Sequence, residues 1–432
     1  MTHRLSWRSS RMRMSVPSRK ESLRRLSVRR GIVYHINREC SIPVERTMRI
    51  GILVCLLSGW CLSSLSAGEV TLVSDPQSVV VRIDGEVFTV LHTGTQWRKL
   101  FLNPVTAAGG LEQLAMDVTH PSGEPGLPGS RVLICRDFAE VRLNDQPTGK
   151  LAQGQVVEVR EVKRPWLFVP EANGWVHEGD VAPLGSTVTR VIQTAPQKGL
   201  DRQHPLYYDH PHHKGVWFSV DEVNEIKFWN EDGRILPVST KIDVEKGEFA
   251  QLTQVSHWLS KEDTPLLEET TTMRFYADRT MSFDFELKAQ GQAVHFGDTK
   301  EGLFAIRLPN SMREFSQGGP VTNAEGLTTT AQCWGQPSPW VDYAGPVGQR
   351  RLAVTLFDHP QNFRKSRYHV RDYGLFSVSP FGEKAYSNGA QPEAIVNLEP
   401  GQSLKLKYGL NVRADTGNNS EAKAAYERYA GR

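Results

Sequence analysis

The fold class is decided by two neighbouring segments, Thr270-Thr-Thr-Met-Arg-Phe-Tyr276 and Met281-Ser-Phe-Asp-Phe-Glu-Leu287. Apolar residues occupy every second position of the later segment, and polar residues fill the positions between them. A period of two is what an antiparallel strand with one buried face requires. The segments therefore predict two adjacent antiparallel strands joined by a short connection.

The same alternation recurs in most of the chain. It marks residues 352–357, and an Asp-Gly turn at the centre of residues 79–90 is typical of a β-hairpin. Only residues 420–429 indicate a helix, with Ser420 as its N-cap. Many strands separated by turn residues predict an all-β protein built as a sandwich or a barrel.

Composition and charge exclude several classes of protein. Hydrophobic residues make up 39% and charged residues 23% of the 432 positions, which excludes a disordered polyelectrolyte. The chain carries a formal charge of +3, but residues 1–67 hold 13 Lys and Arg against three Glu. That segment carries +10, so the remainder carries −7. The folded part lacks the basic balance that favours nucleic acid, and we expect no nucleic-acid partner.

Residues 48–67 predict a secretory signal peptide. Arg49 precedes the apolar run Ile50-Gly-Ile-Leu-Val-Cys-Leu-Leu57, and small residues follow at Ser64-Leu-Ser-Ala67. Residues 1–47 are basic and lack an apolar period, so we expect a mis-started or disordered leader. No apolar run of membrane-spanning length follows. We therefore expect no integral membrane span after signal cleavage, and a periplasmic or secreted protein.

Residues 132–185 differ from the rest of the chain in the short length and close spacing of their β segments. Five short β segments that close on Gly174-Trp-Val176 and Gly179-Asp-Val181 resemble a bacterial SH3-like domain. The alternative is a continuation of the main sheet. The SH3-like interpretation makes this module an insertion, which divides one β-sandwich domain into residues 68–131 and 186–432.

The aromatic residues of this module have two alternative roles. Trp166, Phe168 and Trp175 form either its hydrophobic core or a ligand groove. Because a barrel this small needs its aromatic residues inside, we expect at least one Trp in the core. The module is also the candidate element for contact with the cell wall.

The densest group of chemically active side chains is His210-Pro-His-His213, which follows Asp209. An extended backbone puts His210 and His212 on one side and His213 on the other. Two imidazoles on one side serve as acid and base near neutral pH, or bind a transition metal. The spacing matches no closed zinc signature, so we assign no metal ligand and leave the cofactor open. The structural alternative is a rigid turn in which Asp209 and backbone carbonyls satisfy the rings.

Two later segments carry further candidate groups. Glu301 and Arg307 stand six residues apart around a short apolar strand, so a regular strand puts both on one face. His369, Arg371 and Tyr373 share a face by the same alternation. The structural alternative for Arg371 is an ion pair with the Asp that follows it.

Trp340 and Asp342 suggest a third contribution to the site. An aromatic ring stacks on the apolar face of a sugar, and a neighbouring carboxylate accepts hydrogen bonds from its hydroxyl groups. The pair therefore predicts sugar binding.

Several separated blocks of the sequence carry a family resemblance. They are His210-Pro-His-His-Lys-Gly-Val-Trp-Phe218, Val223-Asn224 with Phe228-Trp229, Thr299-Lys-Glu-Gly-Leu-Phe304, Trp340-Val-Asp-Tyr343 and His369-Val-Arg-Asp-Tyr-Gly374. In this order they resemble the PmoA-like family of secreted bacterial proteins. The resemblance implies a galactose-mutarotase-like β-supersandwich, an association with carbohydrate use and no established activity. The SH3-like insertion departs from the usual pattern of that family.

These observations favour a secreted or periplasmic carbohydrate-active enzyme whose exact reaction stays open. The catalytic candidates are His210, His212, Glu301 and His369. The substrate-binding candidates are His213, Trp217, Arg307, Trp340, Asp342, Arg371 and Tyr373. A carbohydrate or glycan is the expected ligand. Two alternatives stay open: a non-catalytic glycan-binding or cell-wall-binding protein, and a metal-dependent enzyme that uses the His-Pro-His-His cluster.

Overall fold

A computed structural model describes residues 68–109, 131–134, 136, 138–152, 155–163, 165–182, 210, 212–347 and 350–432. The expected leader, residues 1–47, and the expected signal peptide, residues 48–67, lie outside the described residues. Within these ranges no helix has the length and apolar character needed to cross a membrane.

Strands dominate the described residues and fall into three groups along the chain. The first group is β1 (Val70–Asp75), β2 (Ser78–Ile83), β3 (Glu86–His92) and β4 (Phe101–Val105). The second group is β5 (Arg131–Ile134), β6 (Phe138–Leu143), β7 (Gln146–Ala152), β8 (Val156–Glu158), β9 (Glu161–Lys163), β10 (Trp166–Val169), β11 (Gly174–His177) and β12 (Val181–Ala182). The third group is β13 (Val216–Phe218), β14 (Arg234–Val244), β15 (Lys246–Gly247), β16 (Phe249–Leu259), β17 (Pro265–Tyr276), β18 (Thr280–Ala289), β19 (Val294–Phe296), β20 (Phe304–Arg307), β21 (Val321–Asn323), β22 (Trp340–Val347), β23 (Arg350–Asp358), β24 (Arg367–Val370), β25 (Leu375–Ser379), β26 (Val396–Leu398) and β27 (Ser403–Ala414).

Two large antiparallel sheets form the body of the protein. One has the strand order β15-β1-β2-β3-β4-β13-β20-β25-β24, and the other has the order β14-β16-β17-β18-β27-β23-β22-β21. One continuous hydrophobic core draws on both, for example Val216 and Phe218 of β13 and Phe283 and Phe285 of β18. Sheets that share a core in this way pack face to face as a sandwich. The expectation of an all-β protein with a large antiparallel β-sandwich is therefore confirmed.

The two segments that decided the fold class form β17 and β18. They pair antiparallel, with Met273 opposite Phe283 and Phe275 opposite Met281. The apolar positions of β18 face the shared core, as the alternation predicts. The Asp-Gly hairpin is also confirmed, because Ile83 pairs with the residue that begins β3.

The helices in the described residues are short: α1 (Thr330–Cys333), α2 (Glu383–Tyr386) and α3 (Ser420–Ala430). The predicted C-terminal helix is confirmed as α3, but its N-cap is Asn419, and Ser420 is its first helical residue. Helix α3 packs Tyr429 against Trp340 and Phe357. Because β22 turns Trp340 away from the shared core, α3 covers the outer face of the eight-stranded sheet.

The described residues between 131 and 182 form a unit with a core of its own. A five-stranded sheet, β7-β6-β11-β10-β9, and a three-stranded sheet, β12-β5-β8, enclose a hydrophobic cluster that is separate from the core of the sandwich. The strands before and after this unit, β4 and β13, are neighbours in the nine-stranded sheet. That arrangement fits an insertion into the sandwich, and the likeness of the unit to an SH3-like domain stays a prediction.

The core of this inserted module differs from the expected one. Leu167, Val169 and Val176 fill it, whereas Trp166 and Trp175 are half-buried on the other face of the same strands. The expectation of a Trp in this core is therefore wrong. All four residues of β10 are apolar, so alternation alone does not indicate which pair faces inward.

A buried ion pair connects the inserted module to the sandwich. Arg313 contacts Glu178, and both side chains are almost fully buried. Arg136 of the module also donates a hydrogen bond to the carbonyl of Gln317. The segment that carries Arg313 in turn contacts the turn after β24, where the Phe315 N–H donates to a backbone carbonyl at 3.0 Å.

Candidate functional site

Strand alternation places a row of side chains on the outer face of the nine-stranded sheet. In β13, Val216 and Phe218 enter the core, so Trp217 between them faces outward. Directly paired positions continue this row over five neighbouring strands: Phe101, Trp217, Ala305, Ser377 and His369. Most of the predicted site residues lie on this row or on the turns beside it.

A stack of four nearly parallel rings begins at Trp217. His213 stacks on Trp217, with the ring centroids 5.1 Å apart, and His210 stacks on His213 at 4.4 Å. Tyr373 stacks on the far side of His210 at 5.2 Å. The first two rings are buried and the last two are half-buried. The stack therefore ends in Tyr373, while both faces of the half-buried His210 ring are covered by His213 and Tyr373.

The histidine segment is a turn, not an extended strand. The backbone N–H of His213 donates to the carbonyl of His210 at 2.8 Å, which brings both rings to the same side. The expectation that His213 points away from His210 is therefore wrong. His212 instead lies edge-on to His213, with centroids 4.6 Å apart.

Two arginines flank the Tyr373 end of the stack. The buried guanidinium of Arg307 donates to Nδ1 of His213 at 2.9 Å and lies 5.1 Å from the centroid of the Tyr373 ring. A donor on Nδ1 requires an unprotonated nitrogen there, so His213 is neutral, with its proton on Nε2. The guanidinium of Arg371 lies 5.6 Å from the Tyr373 centroid, also within cation–π distance.

Glu301 contributes the carboxyl group of the site. Its Oε2 lies 3.8 Å from Nδ1 of His369, and that nitrogen donates to the carbonyl of Lys300 at 3.0 Å. Burial raises the pKa of Glu301, although the charges of Lys300 and His210 oppose the shift. Burial also lowers the pKa of His369 to about 3, so its ring is neutral near pH 7. A carboxyl group that keeps its proton closer to neutral pH is suited to proton transfer.

A cluster of buried charges lies against the inner end of the stack. Nζ of Lys99 lies 3.4 Å from Glu231 and 5.4 Å from the centroid of Trp217, and Lys214 contacts the same carboxylate. Burial lowers the pKa of Lys99 to about 7. The sequence did not reveal this cluster, because no spacing motif relates Lys99 to Glu231 across more than a hundred residues.

The same cluster keeps one imidazole uncharged. Burial lowers the pKa of His212 to about 2, and the positive charge of Lys99 acts in the same direction. His212 is therefore neutral near pH 7.

Asp221 is a second carboxyl group that sequence reasoning missed. Its backbone N–H donates to the carbonyl of Glu301 at 2.9 Å. The side chain is buried, and burial raises the pKa of Asp221 to about 6, against the opposing charge of Lys227 at 3.9 Å. Its only signal in the sequence is its place three residues after the end of β13.

Two predicted ligand-binding residues lie elsewhere. Trp340 and Asp342 are on the face of β22 that α3 covers, and Asp342 pairs with Arg413 at 2.9 Å. That is the outer face of the eight-stranded sheet, whereas the ring stack lies on the outer face of the nine-stranded sheet. The expectation that these two residues join the site is therefore corrected. Alternation gives the face of a strand but not the sheet to which the strand belongs.

Turns, and not regular strands, bring the other predicted groups together. Strand β20 begins at Phe304, so Glu301 precedes it, and β24 ends at Val370, so Arg371 and Tyr373 lie on the turn to β25. The expected strand alternation is therefore wrong for both segments. The turn between β24 and β25 lies at the Arg307 end of β20, whereas Glu301 precedes the other end of that strand and reaches the outer face of the sheet beside His369.

The metal-dependent alternative finds no ligand set in the described part of the chain. There, no group of three His, Cys, Asp or Glu side chains is arranged to hold a metal ion. The parallel stacking of His210 on His213 and Tyr373 also directs the ring faces at one another, whereas metal ligation uses nitrogen atoms in the ring plane.

The chain has a weak structural likeness to several solved proteins. A β-arabinopyranosidase is 15% identical with a TM-score of 0.22, and the match covers 64% of this chain and 40% of that one. A galactose 1-epimerase from Lactobacillus acidophilus NCFM is 8% identical with a TM-score of 0.26, covering 80% and 98% of the two chains. An aldose epimerase homologue from C. elegans is 7% identical with a TM-score of 0.22, covering 80% and 99%. Superpositions this distant do not locate a shared site or a shared reaction.

Sequence comparison is more direct. No curated protein matches the chain significantly. The model of a family of unknown function, DUF6807, matches residues 181–427, which include the ring stack, both arginines and Glu301. The chain therefore belongs to the family of unknown function DUF6807.

Proposed function

We propose that the protein is a carbohydrate-active enzyme that holds a sugar against the ring stack and transfers a proton through Glu301. One observation carries the proposal. The histidine turn and the turn after β24 place His210 and Tyr373 at the Arg307 end of β20. Glu301 precedes the other end of β20, lies beside His369 on the same outer face of the sheet, and interacts electrostatically with His210. Half-buried aromatic rings and a carboxyl group suited to proton transfer on one face of a sheet are the chemistry that a sugar ring and its hydroxyl groups require.

The proposal gives each group a separate role. Tyr373 and His210 contact the sugar through their half-buried edges, since both faces of the His210 ring are covered by His213 and Tyr373. Glu301 acts as general acid and then as general base, since burial raises its pKa. His369 is only 2% exposed, so it acts as a positioning residue that holds Glu301. Neutral His212 exchanges hydrogen bonds with hydroxyl groups.

The test is activity on a glycan panel. Hydrolysis of aryl glycosides and polysaccharides, and the interconversion of reducing sugars, are measured for the parent, Glu301→Gln and Glu399→Gln. Glu399 is exposed and remote in the sequence, so its variant is the matched control. Loss of general acid–base catalysis lowers kcat by about 10²- to 10⁴-fold. Equal turnover by Glu301→Gln and the parent would remove Glu301 from the chemistry.

A second candidate function is non-catalytic binding of a glycan or the cell wall through the inserted module. Half-buried Trp166, Phe168 and Trp175 lie on the outer face of its five-stranded sheet, and Phe168 packs edge-on against Trp175 with centroids 5.3 Å apart. Pull-down by insoluble polysaccharide or peptidoglycan, compared between the parent and Trp175→Ala, tests this role. Retention that is unchanged in the variant would argue against the module.

The proposal also places the protein in the periplasm or outside the cell, on the basis of the signal peptide expected at residues 48–67. Fractionation of cells that express the full chain, with an immunoblot of each fraction, tests the location. Protein confined to the cytosolic fraction would contradict it.

A further inference from the structure

We propose that the inserted module is a positioning element of the candidate site, in which the buried pair of Glu178 and Arg313 fixes the turn that carries Tyr373. The inference goes beyond the proposed function, because it gives the module a role at the ring stack. Only its consequence for the sugar rests on that function.

Tyr373, the outer ring of the stack, lies on a tight turn between β24 and β25. The N–H of Gly374 donates to the carbonyl of Arg371 at 3.1 Å, and the N–H of Arg371 donates to the carbonyl of Leu375 at 2.8 Å. Gly374 has a φ of 88°, a conformation that favours glycine. The backbone of this turn therefore sets where the Tyr373 ring lies on His210.

The segment 313–317 packs directly against this turn. The N–H of Phe315 donates to the carbonyl of Asp372 at 3.0 Å. The side chain of Arg313 lies beside Gly374, where an added Cβ atom would be 3.1 Å from Arg313 Cγ. The turn and the segment therefore fit each other closely, and Arg313 occupies the space that a side chain at position 374 would need.

Tyr343 of β22 connects the same two elements. Its buried hydroxyl accepts a hydrogen bond from the N–H of Glu314 at 2.8 Å and lies 3.4 Å from the carbonyl of Arg371. The segment and the turn therefore share one support, so a displacement of the segment disturbs the turn.

The inserted module holds both ends of the segment. Glu178 of the module contacts Arg313, and the two residues are only 2% and 5% exposed. Arg136 of the module donates to the carbonyl of Gln317 at the other end. Because a buried charge that loses its partner is strongly unfavourable, the ion pair keeps Arg313 in one place.

A chain of direct contacts thus leads from the module to the ring stack. Groups that touch a ligand need neighbours that hold them in a productive position. Glu178 is therefore a positioning residue, which acts on Tyr373 through Arg313 and the turn. In this role the module supports the site and is more than a separate attachment element.

Amide hydrogen exchange, followed by mass spectrometry, tests the inference without a ligand. Glu178→Gln keeps the shape of the side chain and removes its charge, which leaves Arg313 buried without this carboxylate. We expect the peptide that covers residues 371–375 to exchange about tenfold faster than in the parent, because its hydrogen bonds open locally. Arg136→Gln removes the hydrogen bond to Gln317 and is expected to raise the same rate by a smaller factor, so the test does not depend on one variant.

Two control variants separate positioning from a general loss of stability. Glu140→Gln breaks a partly exposed ion pair with Arg142 inside the module and is expected to exchange like the parent. Trp340→Ala removes contacts under α3 on the other sheet, and its turn is expected to exchange at the parental rate while the protein stays folded. A parental rate in both Glu178→Gln and Arg136→Gln overturns the inference. An equal increase in Trp340→Ala also overturns it.

The consequence for the sugar is measured with the 4-nitrophenyl glycosides of the glycan panel. We expect Glu178→Gln to raise the KM of the glycoside that the parent hydrolyses fastest by about tenfold, with a smaller change in kcat, because Tyr373 contacts the sugar and Glu301 transfers the proton. An unchanged KM together with faster exchange would refute the role of the turn in sugar binding. If the parent hydrolyses none of these glycosides, glycoside hydrolysis by this site is excluded, while the exchange rates still decide the role of the module.

Discussion

A buried carboxyl group in the core of the sandwich predicts an unusual dependence of stability on pH. Glu269 lies on the core-facing side of β17 and is only 6% exposed. Its oxygens accept hydrogen bonds from Trp258 Nε1 at 2.7 Å and from Thr271 Oγ1 at 2.6 Å. No cation within the described residues pairs with it. Burial raises the pKa of Glu269 from 4.5 to about 6.

The direction and size of the effect follow from this shift. The folded state binds the Glu269 proton more tightly than the unfolded state, so the contribution of Glu269 to stability is fully present below pH 4.5 and is lost as the pH rises through about 6. A shift of this size corresponds to about 2 kcal/mol, which is lost in full above the folded-state pKa. The uncharged isostere in Glu269→Gln removes the ionisation and keeps an oxygen that accepts from Trp258. We expect the variant to be more stable than the parent by about 2 kcal/mol at pH 8, and about equal to it near pH 4.5.

Urea unfolding followed by circular dichroism, at several pH values between 4.5 and 8, measures this difference. Glu399→Gln serves as the exposed control and is expected to leave the pH profile of the parent unchanged. A difference between Glu269→Gln and the parent that does not change with pH would refute the reasoning. Lower stability of the variant at pH 8 would show that its hydrogen bonds outweigh the cost of burying the charge.

Three further predictions concern other buried groups. Arg313→Ala leaves the Glu178 carboxylate buried without this partner, so we expect the free energy of unfolding to fall by about 3–5 kcal/mol, as measured by thermal unfolding. An unchanged midpoint of unfolding would contradict this. The folded state disfavours charged Lys99, whose pKa burial lowers to about 7, so the parent gains stability between pH 7 and pH 10. Denaturation at both pH values is expected to show a smaller rise in the free energy of unfolding for Lys99→Met than for the parent. An equal rise in both proteins would show that Lys99 does not cause the pH dependence. Trp340→Ala leaves a cavity under α3, so we expect the free energy of unfolding to fall by about 3–5 kcal/mol while the affinity for sugar stays the same. Weaker sugar binding by the variant would show that Trp340 belongs to the binding site.

Local patterns predicted the strands and their buried faces well. The alternation in residues 281–287 identified β18 and its core face, because both are set by the period of the backbone within one strand. The Asp-Gly hairpin was equally local. The period fails where both faces are apolar, as in β10, where Leu167 and not Trp166 enters the core.

The sequence predicted which residues belong to the site better than it predicted how they are arranged. Density of titratable groups singled out His210, Glu301 and Arg371, and the structure brings them together. The sequence placed Asp342 with them because an aromatic residue beside a carboxylate suits a sugar, but its strand joins the other sheet. Lys99 carried no signal, because its partners come from distant parts of the chain. Contacts of this kind depend on strand order, which local patterns do not contain.

Strands support the base of the ring stack, and turns carry the groups of the site that a ligand can reach. Alternation in β13 fixes Trp217 against the sheet while its neighbours, such as Phe218, anchor the strand in the core, where Phe218 stacks on Phe285 with centroids 3.7 Å apart. The base of the ring stack is therefore as rigid as the core itself. The accessible groups, including His210 and Arg371, lie on turns, where a change of residue does not disturb the core. Such an arrangement lets ligand preference change through the turns while the support for the ring stack stays constant. For this reason, variants of Arg371 are expected to alter ligand choice without a matching loss of stability.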